Sequence, residues 1–263
     1  MIVLRRTALL AGFCALLLQA CVGGLRSGEA CQIATEDRIV SLFENSTPLI
    51  QYGFIANLND GRGYTAGRAG FTSGTGDLLE VIREYQTLAP DNVLVKYLPA
   101  LLLVNGSASV AGLEDLPQDW ALAAGDARFA AAQDRVNERI YRQPARELAA
   151  MLGVRLPLSR LALYEAGIQH GFGEDPDSVN RIAQRASAAV AGSPAMGLDE
   201  KKWLQAFLSE RRKTLLHPAD QATAAGWAAS VSRADAIQSI YDSGNFNLEQ
   251  PITITVYGDT FTL

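Results

Sequence analysis

The sequence predicts a mostly α-helical chain, folded as one two-lobed unit with a small β element. Apolar residues recur at helical spacing along much of the chain between Thr35 and residue 242. The C-terminal "PITITVYGDTFTL" alternates apolar and polar residues in the manner of a strand. The 263 residues are 48% hydrophobic and 19% charged, a balance that can bury a real core and argues against disorder. That length suits one large domain or two modest lobes.

The elements follow in order. Arg5 and Arg6 precede an apolar stretch from Thr7 to Leu18, which reads as an export signal. It is too short, with the wrong flanks, for a stable membrane span. It ends in "LLLQAC", residues 16–21, which resembles a bacterial lipobox with Cys21 as the lipid-modified first residue. Ordinary secretion, with cleavage nearby and before Cys31, is the alternative. Residues 1–20 are thus assigned to the signal, 21–34 to a tether and 35–263 to the folded domain.

Cys14 leaves with the signal. Cys31 is then a lone thiol if Cys21 is acylated, or half of a 21–31 disulfide if it is not.

Thr35 is placed as the cap of a helix with Ile39, Val40, Leu42 and Phe43 on its apolar face. Thr47-Pro48 reads as the start of a second helix, carrying Ile50, Phe54, Ile55 and Leu58 and stopping at Asp60-Gly61. A glycine-rich loop follows. "GDLLEVIREYQTL" is an amphipathic helix with Leu78, Leu79, Val81, Ile82 and Tyr85 as its stripe. Residues 93–103 form a buried helix with Pro99 at a kink or boundary. Further helices are expected near 126–142, 144–152, 157–169, 177–191, 198–216 and 221–242.

The composition excludes several functions. The formal charge is −5, and removal of residues 1–20, which hold two arginines and no acids, gives 21 − 28 = −7. With no long basic run, nucleic acid is not the expected partner; a neutral or cationic ligand is. His170 and His217 are the only histidines, without HExxH or paired CxxC motifs, so no metal or other cofactor is implied. His170 reads as structural.

The stretch "NDGRGYTAGRAGFTSGTGD", residues 59–77, could cradle a phosphate, close a turn or let a bulky ligand approach the backbone. Gly61, Gly63 and Ala66 fit a G-x-G-x-x-A spacing. Yet the segment before them reads as helix, whereas the dinucleotide motif needs strand, turn and helix. A carboxylate pair is the better candidate. Glu44 ends the first helix and Asp60 borders the loop, and two carboxylates across a groove are the machinery of glycoside hydrolysis. From spacing alone, a solvated helix carboxylate and an Asp-Gly turn explain the two residues more simply.

Longer blocks decide between these readings. "FENST" followed by "DGRGYTAGRAGFTSGTGDLLEVI" closely resembles the N-terminal signature of the family 46 chitosanases. "KYLPALLLVNGSAS", "ALYEAGIQHGFGEDP", "FLSERRKTLL" and "ITVYGDTFTL" match in order, so the resemblance covers roughly residues 35–263. It implies a lysozyme-like fold, two lobes around a substrate cleft lined by the small β element. It also implies endo-acting, inverting hydrolysis of the β-1,4 links of chitosan by a monomer, with glucosamine oligosaccharides as ligands and the membrane reached only through a lipid anchor. By position, Glu44 corresponds to the general acid, Asp60 to the general base and Thr65 to the threonine that holds the attacking water. Arg62 and Asp77 correspond to substrate-binding residues, the aspartate reading a glucosamine amine. Glu165, Arg211 and Arg233 correspond to a buried acid–arginine–arginine network, although the family often has aspartate where Glu165 stands. A lysozyme-like hydrolase of another β-1,4 glycan such as peptidoglycan, and a non-catalytic polysaccharide-binding lipoprotein, are the competing readings.

Overall fold

The computed structural model describes residues 25–221 and 223–263, with side chains from Gln32 onward. Cys21 and the signal lie outside the described residues. The elements are α1 (Leu25–Asn45), β1 (Ile55–Asn57), β2 (Tyr64–Ala66), β3 (Phe71–Thr72), α2 (Asp77–Leu88), α3 (Leu98–Val104), α4 (Leu116–Ala123), α5 (Ala127–Asn137), α6 (Gln143–Leu152), α7 (Pro157–His170), α8 (Val179–Ala189), α9 (Glu200–Leu216), α10 (Ala224–Ala229), α11 (Val231–Asp242), β4 (Thr253–Val256) and β5 (Asp259–Thr262).

Two separate apolar cores define two lobes. The larger is built on Ile39, Leu42 and Phe43 of α1, with α6 to α9, α11 and the C-terminal hairpin. The smaller gathers Ala66 and Phe71 of the sheet with α2, α4 and α5, around Trp120 and Phe129. These two rings meet edge to face with centroids 4.7 Å apart, an arrangement the aromatic quadrupole favours.

A continuous helical strut joins the lobes. α5 packs in the smaller core and α6 in the larger, and residues Glu138–Arg142 between them form a π-turn. The wider turn inserts an extra residue where neighbouring side chains serve different lobes. Tyr141 stacks on Phe71 of the sheet, with centroids 6.3 Å apart. Arg142 pairs with Glu36 and Asp37 of α1. Asp37 also takes Arg68 from the β2–β3 turn at 2.7 Å, and Arg68 reaches Asp134 of α5 as well. Buried and half-buried ion pairs therefore fix α1 to the sheet and to the strut.

The helix over 77–88 forms as its stripe requires: Leu78, Leu79, Val81, Ile82 and Tyr85 are all buried. Pro99 sits in the first turn of α3, so it marks a boundary after a 3₁₀ turn at Val95–Tyr97. The helix expected over 221–242 breaks at Ser230, whose hydroxyl donates to the Trp227 carbonyl at 2.8 Å and competes with the helical ladder.

Three expectations fail locally. α1 spans Leu25–Asn45, so Thr35 lies inside the helix rather than at its cap, and residues 25–34, read as part of a tether, are helical and continue into the domain's first helix. No second helix forms after it. Ser46 adopts φ 52°, the chain then bends, and Ile55 pairs with Ala66 as the first strand of an antiparallel sheet. Phe54 and Leu58 are exposed, so the apolar spacing there serves no helix face. α4 was unsignalled, because its eight residues carry too few turns for a period to register.

The glycine-rich stretch is the sheet itself. β2 and β3 lie inside it, with order β1-β2-β3, and Gly61, Gly63, Gly67, Gly70 and Gly76 all take positive φ. The segment before Gly61 is a strand, not a helix. The segment after it is a second strand, so the phosphate motif fails for a different reason than its sequence suggests. The C-terminal alternation is observed as the hairpin β4–β5, with Ile254 and Val256 turned inward.

Candidate active site

The site forms where the last turn of α1 meets the three-stranded sheet. Glu44 lies in that last turn, half-buried. A Cβ added at Gly70 would sit 3.0 Å from Glu44 Oε2 and 3.5 Å from Thr65 Cγ2. The carboxyl therefore lies close over the Gly70 backbone, and a Cβ there would crowd it and make it shift. Thr65 is buried, and its hydroxyl has no hydrogen-bond partner among the described residues. A buried hydroxyl without a protein partner is costly unless something else bonds to it.

Asp60 lies in the turn joining β1 to β2, not at a helix end. Its carboxylate accepts from the backbone N–H of Arg62 at 3.1 Å, and from Arg62 Nε and Nη2 at 3.1 and 2.7 Å. Partial burial pushes the Asp60 carboxyl up, but the Arg62 hydrogen bonds and charge outweigh it and hold the carboxyl below its ordinary range. Asp60 is thus kept ionised, the state a base needs.

Asp77 is the brace of the loop. Its Oδ1 accepts from Thr72 N at 2.7 Å, Thr75 Oγ1 at 2.8 Å and Leu78 N at 3.0 Å, and its Oδ2 accepts from Tyr141 Oη at 2.8 Å. Burial raises its carboxyl despite those donors. Oδ2 takes one of these bonds and Oδ1 three, so the remaining acceptor capacity is on Oδ2. Tyr141 gave no sequence signal, since "RIYRQP" is unremarkable as a string. Burial first, then the Asp77 charge, raises its phenol, and Glu44 and Arg62 both act on it. Tyr141 therefore stands within electrostatic reach of both halves of the site.

Behind Glu44 runs a buried ion chain. Arg233 Nη2 donates to Glu44 Oε1 at 2.6 Å, and Arg233 Nε donates to Glu165 Oε1 at 2.7 Å. Arg211 pairs with Glu165 Oε2 and donates to Gln169 at 2.8 Å. Burial alone raises the Glu165 carboxyl, yet the two guanidiniums overcome it and leave its pKa lowered. Glu165, Arg211 and Arg233 are thus brought together, and the chain ends on Glu44. His170 is buried against Trp227, with ring centroids 4.6 Å apart. Burial, then the Arg211 and Arg233 charges, hold its imidazole well below the ordinary value.

With this geometry in view, the comparison with known proteins is direct. Residues 38–252 match the model of glycosyl hydrolase family 46. The chain belongs to that family. It is 44% identical over 220 residues to a chitosanase of Bacillus subtilis, covering 83% of this chain and 79% of that one. It is 41% identical over 244 residues to a Streptomyces chitosanase, covering 91% and 84%. Its fold superimposes on the Gynuella sunshinyii family 46 chitosanase in complex with chitotetraose with a TM-score of 0.85. Identity there is 47%, over 88% of this chain and 97% of that one. The lysozyme-like, two-lobed architecture implied by the sequence motifs is the one observed, and the chain is a glycoside hydrolase.

Glu165→Gln should destabilise the protein by about 3–5 kcal/mol at neutral pH, because Arg211 and Arg233 then lose a buried counter-charge. The lowered Glu165 value means its stabilisation is complete above the unfolded value near 4.5 and is lost as pH falls through the folded value. Denaturant titrations of parent and variant should show a wide gap at pH 7 that closes in acid. A gap independent of pH would contradict the assignment.

Proposed function

We propose that this enzyme is an endo-acting chitosanase that hydrolyses β-1,4 glucosaminyl links with inversion. One observation carries the reading. The Glu44 carboxyl lies over Gly70 in the β2–β3 turn, which the Thr65 methyl also approaches; the Thr65 hydroxyl is buried without a partner among the described residues, and the β1–β2 turn of the same sheet holds Asp60 ionised.

In this reading Glu44 gives its proton to the glycosidic oxygen as the C1–O bond breaks. Asp60 takes a proton from a water that Thr65 helps to hold, and the water oxygen bonds to C1 from the opposite face. The released pair stays on the leaving oxygen, so protons and electrons balance. Asp77 meets a substrate ammonium through the remaining capacity of Oδ2, with Tyr141 fixing that oxygen. A charge-assisted contact of this kind favours a free amine over an acetamido group. Relatives named as chitosanases, and a Bacillus subtilis variant solved in complex with 6 GlcN, support the substrate class.

The mature protein should depolymerise highly deacetylated chitosan from within the chain and leave chitin and peptidoglycan largely intact. Glu44→Gln and Asp60→Asn should each lower turnover at least ~100-fold while glucosamine oligomers still bind. Near-parental turnover in a folded Glu44→Gln protein, or preference for peptidoglycan, would overturn the proposal.

Export and attachment to the cell envelope through Cys21 are part of the same proposal, supported by the lipobox-like "LLLQAC". A single acyl chain holds a membrane only marginally, whereas several anchor it stably. The mass of the mature N-terminus, from a bacterium that processes lipoproteins, should correspond to acylated Cys21. An unmodified terminus would leave a freely secreted enzyme.

A further inference from the structure

Tyr257 occupies a backbone position that its side chain makes costly. Val256 pairs with Asp259, so Tyr257 and Gly258 form a two-residue hairpin turn. Their φ values are 54° and 92°, both positive, as in a type I′ turn. Asn, Asp or Gly normally take the first position, whereas a bulky residue there is strained. Strain of this kind persists where surrounding contacts over-determine it, and it gathers at functional sites.

Two contacts over-determine it at this hairpin. The Tyr257 hydroxyl donates to the Phe43 carbonyl at 3.2 Å, and the Tyr257 backbone N–H donates to Ser232 Oγ at 3.4 Å. Phe43 precedes Glu44 and Ser232 precedes Arg233. The hairpin tip therefore grips the residue beside each partner of the 2.6 Å Glu44–Arg233 pair. The Phe43 carbonyl lies in the last turn of α1, where the helix itself leaves carbonyls unpartnered. The phenol is shifted upward by burial, and it feels the charges of Arg233, Glu44 and Glu165.

We infer that Tyr257 is a positioning residue for the hydrolytic reaction: its hydroxyl caps the last turn of α1 and holds Glu44 against Arg233 in the orientation that proton donation requires. The inference rests on Glu44 being the acid, and extends that reading to the C-terminal hairpin. The tip bridges the two sequence segments that form the pair, 189 residues apart in the chain. A bare Asn-Gly turn would close the hairpin with less strain but would leave the Phe43 carbonyl without this donor.

Two substitutions separate positioning from simple architecture. Tyr257→Phe keeps the ring and the turn and removes only the hydroxyl. On chitosan its kcat should fall about tenfold, with KM within twofold of the parent, since small displacements of a reacting group carry costs of at least this order. Tyr257→Asn installs the preferred turn residue. Its melting temperature should equal or exceed the parent's while kcat falls by a similar factor. Stability and activity thus move apart, which a purely structural residue would not allow. A Tyr257→Phe kcat within twofold of the parent overturns the inference. So does a raised KM at unchanged kcat, or a Tyr257→Asn protein that loses stability or fails to fold. An inactive parent on chitosan would instead overturn the functional reading itself.

Discussion

The pairing of Arg233 with two carboxylates is the constraint on which the site depends. Its guanidinium is buried, and a buried charge without a partner is expensive. It therefore holds Glu44 on one side and Glu165 on the other, at 2.6 and 2.7 Å. Glu165 lies fully inside α7 and is itself held by Arg211 of α9. Three packed helices, α7, α9 and α11, thus determine where one carboxyl at the end of α1 can point. The fork geometry of arginine makes this directional in a way that a lysine point charge would not.

The opposite half of the site belongs to the other core. Thr65 and Asp60 ride on a sheet whose strands are only two or three residues long, too short to be rigid alone. Their stiffness is borrowed. Asp77 at the start of α2 accepts from Thr72 of β3, from Thr75 of the loop, from Leu78 and from Tyr141 of the strut, and Arg68 ties the β2–β3 turn to α1 and α5. The strut with its π-turn then sets one lobe against the other. Glu44 and Asp60 answer to different cores, and the cross-lobe ion pairs set their relation. Such a design suits a cleft whose walls can close on a long polymer.

Much of this fold and site is legible in the sequence. The helix over 77–88 follows from its stripe and the C-terminal hairpin from its alternation, and the motif positions singled out Glu44, Glu165, Arg211 and Arg233, which the fold brings into one ion chain. The features that stayed hidden had physical causes. The stretch from Thr47 to Leu58 carries an apolar spacing that suits a helix, yet pairing of Ile55 with Ala66 is a long-range event no local period reports. The glycines that suggested an open loop instead permit positive φ between very short strands, and at Gly70 they make room for Glu44. Tyr141 and Tyr257 matter through what they touch in distant segments. Only Tyr257 left a trace, as a tyrosine preceding glycine between alternating residues where an asparagine would be expected.

The central claim is that Asp60 acts through a water while Glu44 donates the proton. Carboxyls in inverting enzymes stand roughly 6.5–9.5 Å apart to admit that water, against about 5–5.5 Å when one attacks the sugar directly. An early time course of product anomers by proton NMR, on a fully deacetylated glucosamine oligomer, tests this most directly. Cleavage of β-links should release the α-anomer first, with the β-anomer growing in only by mutarotation. Initial β-product would show retention, would require a carboxylate nucleophile, and would contradict the roles of Asp60 as base and Thr65 as the residue that holds the water.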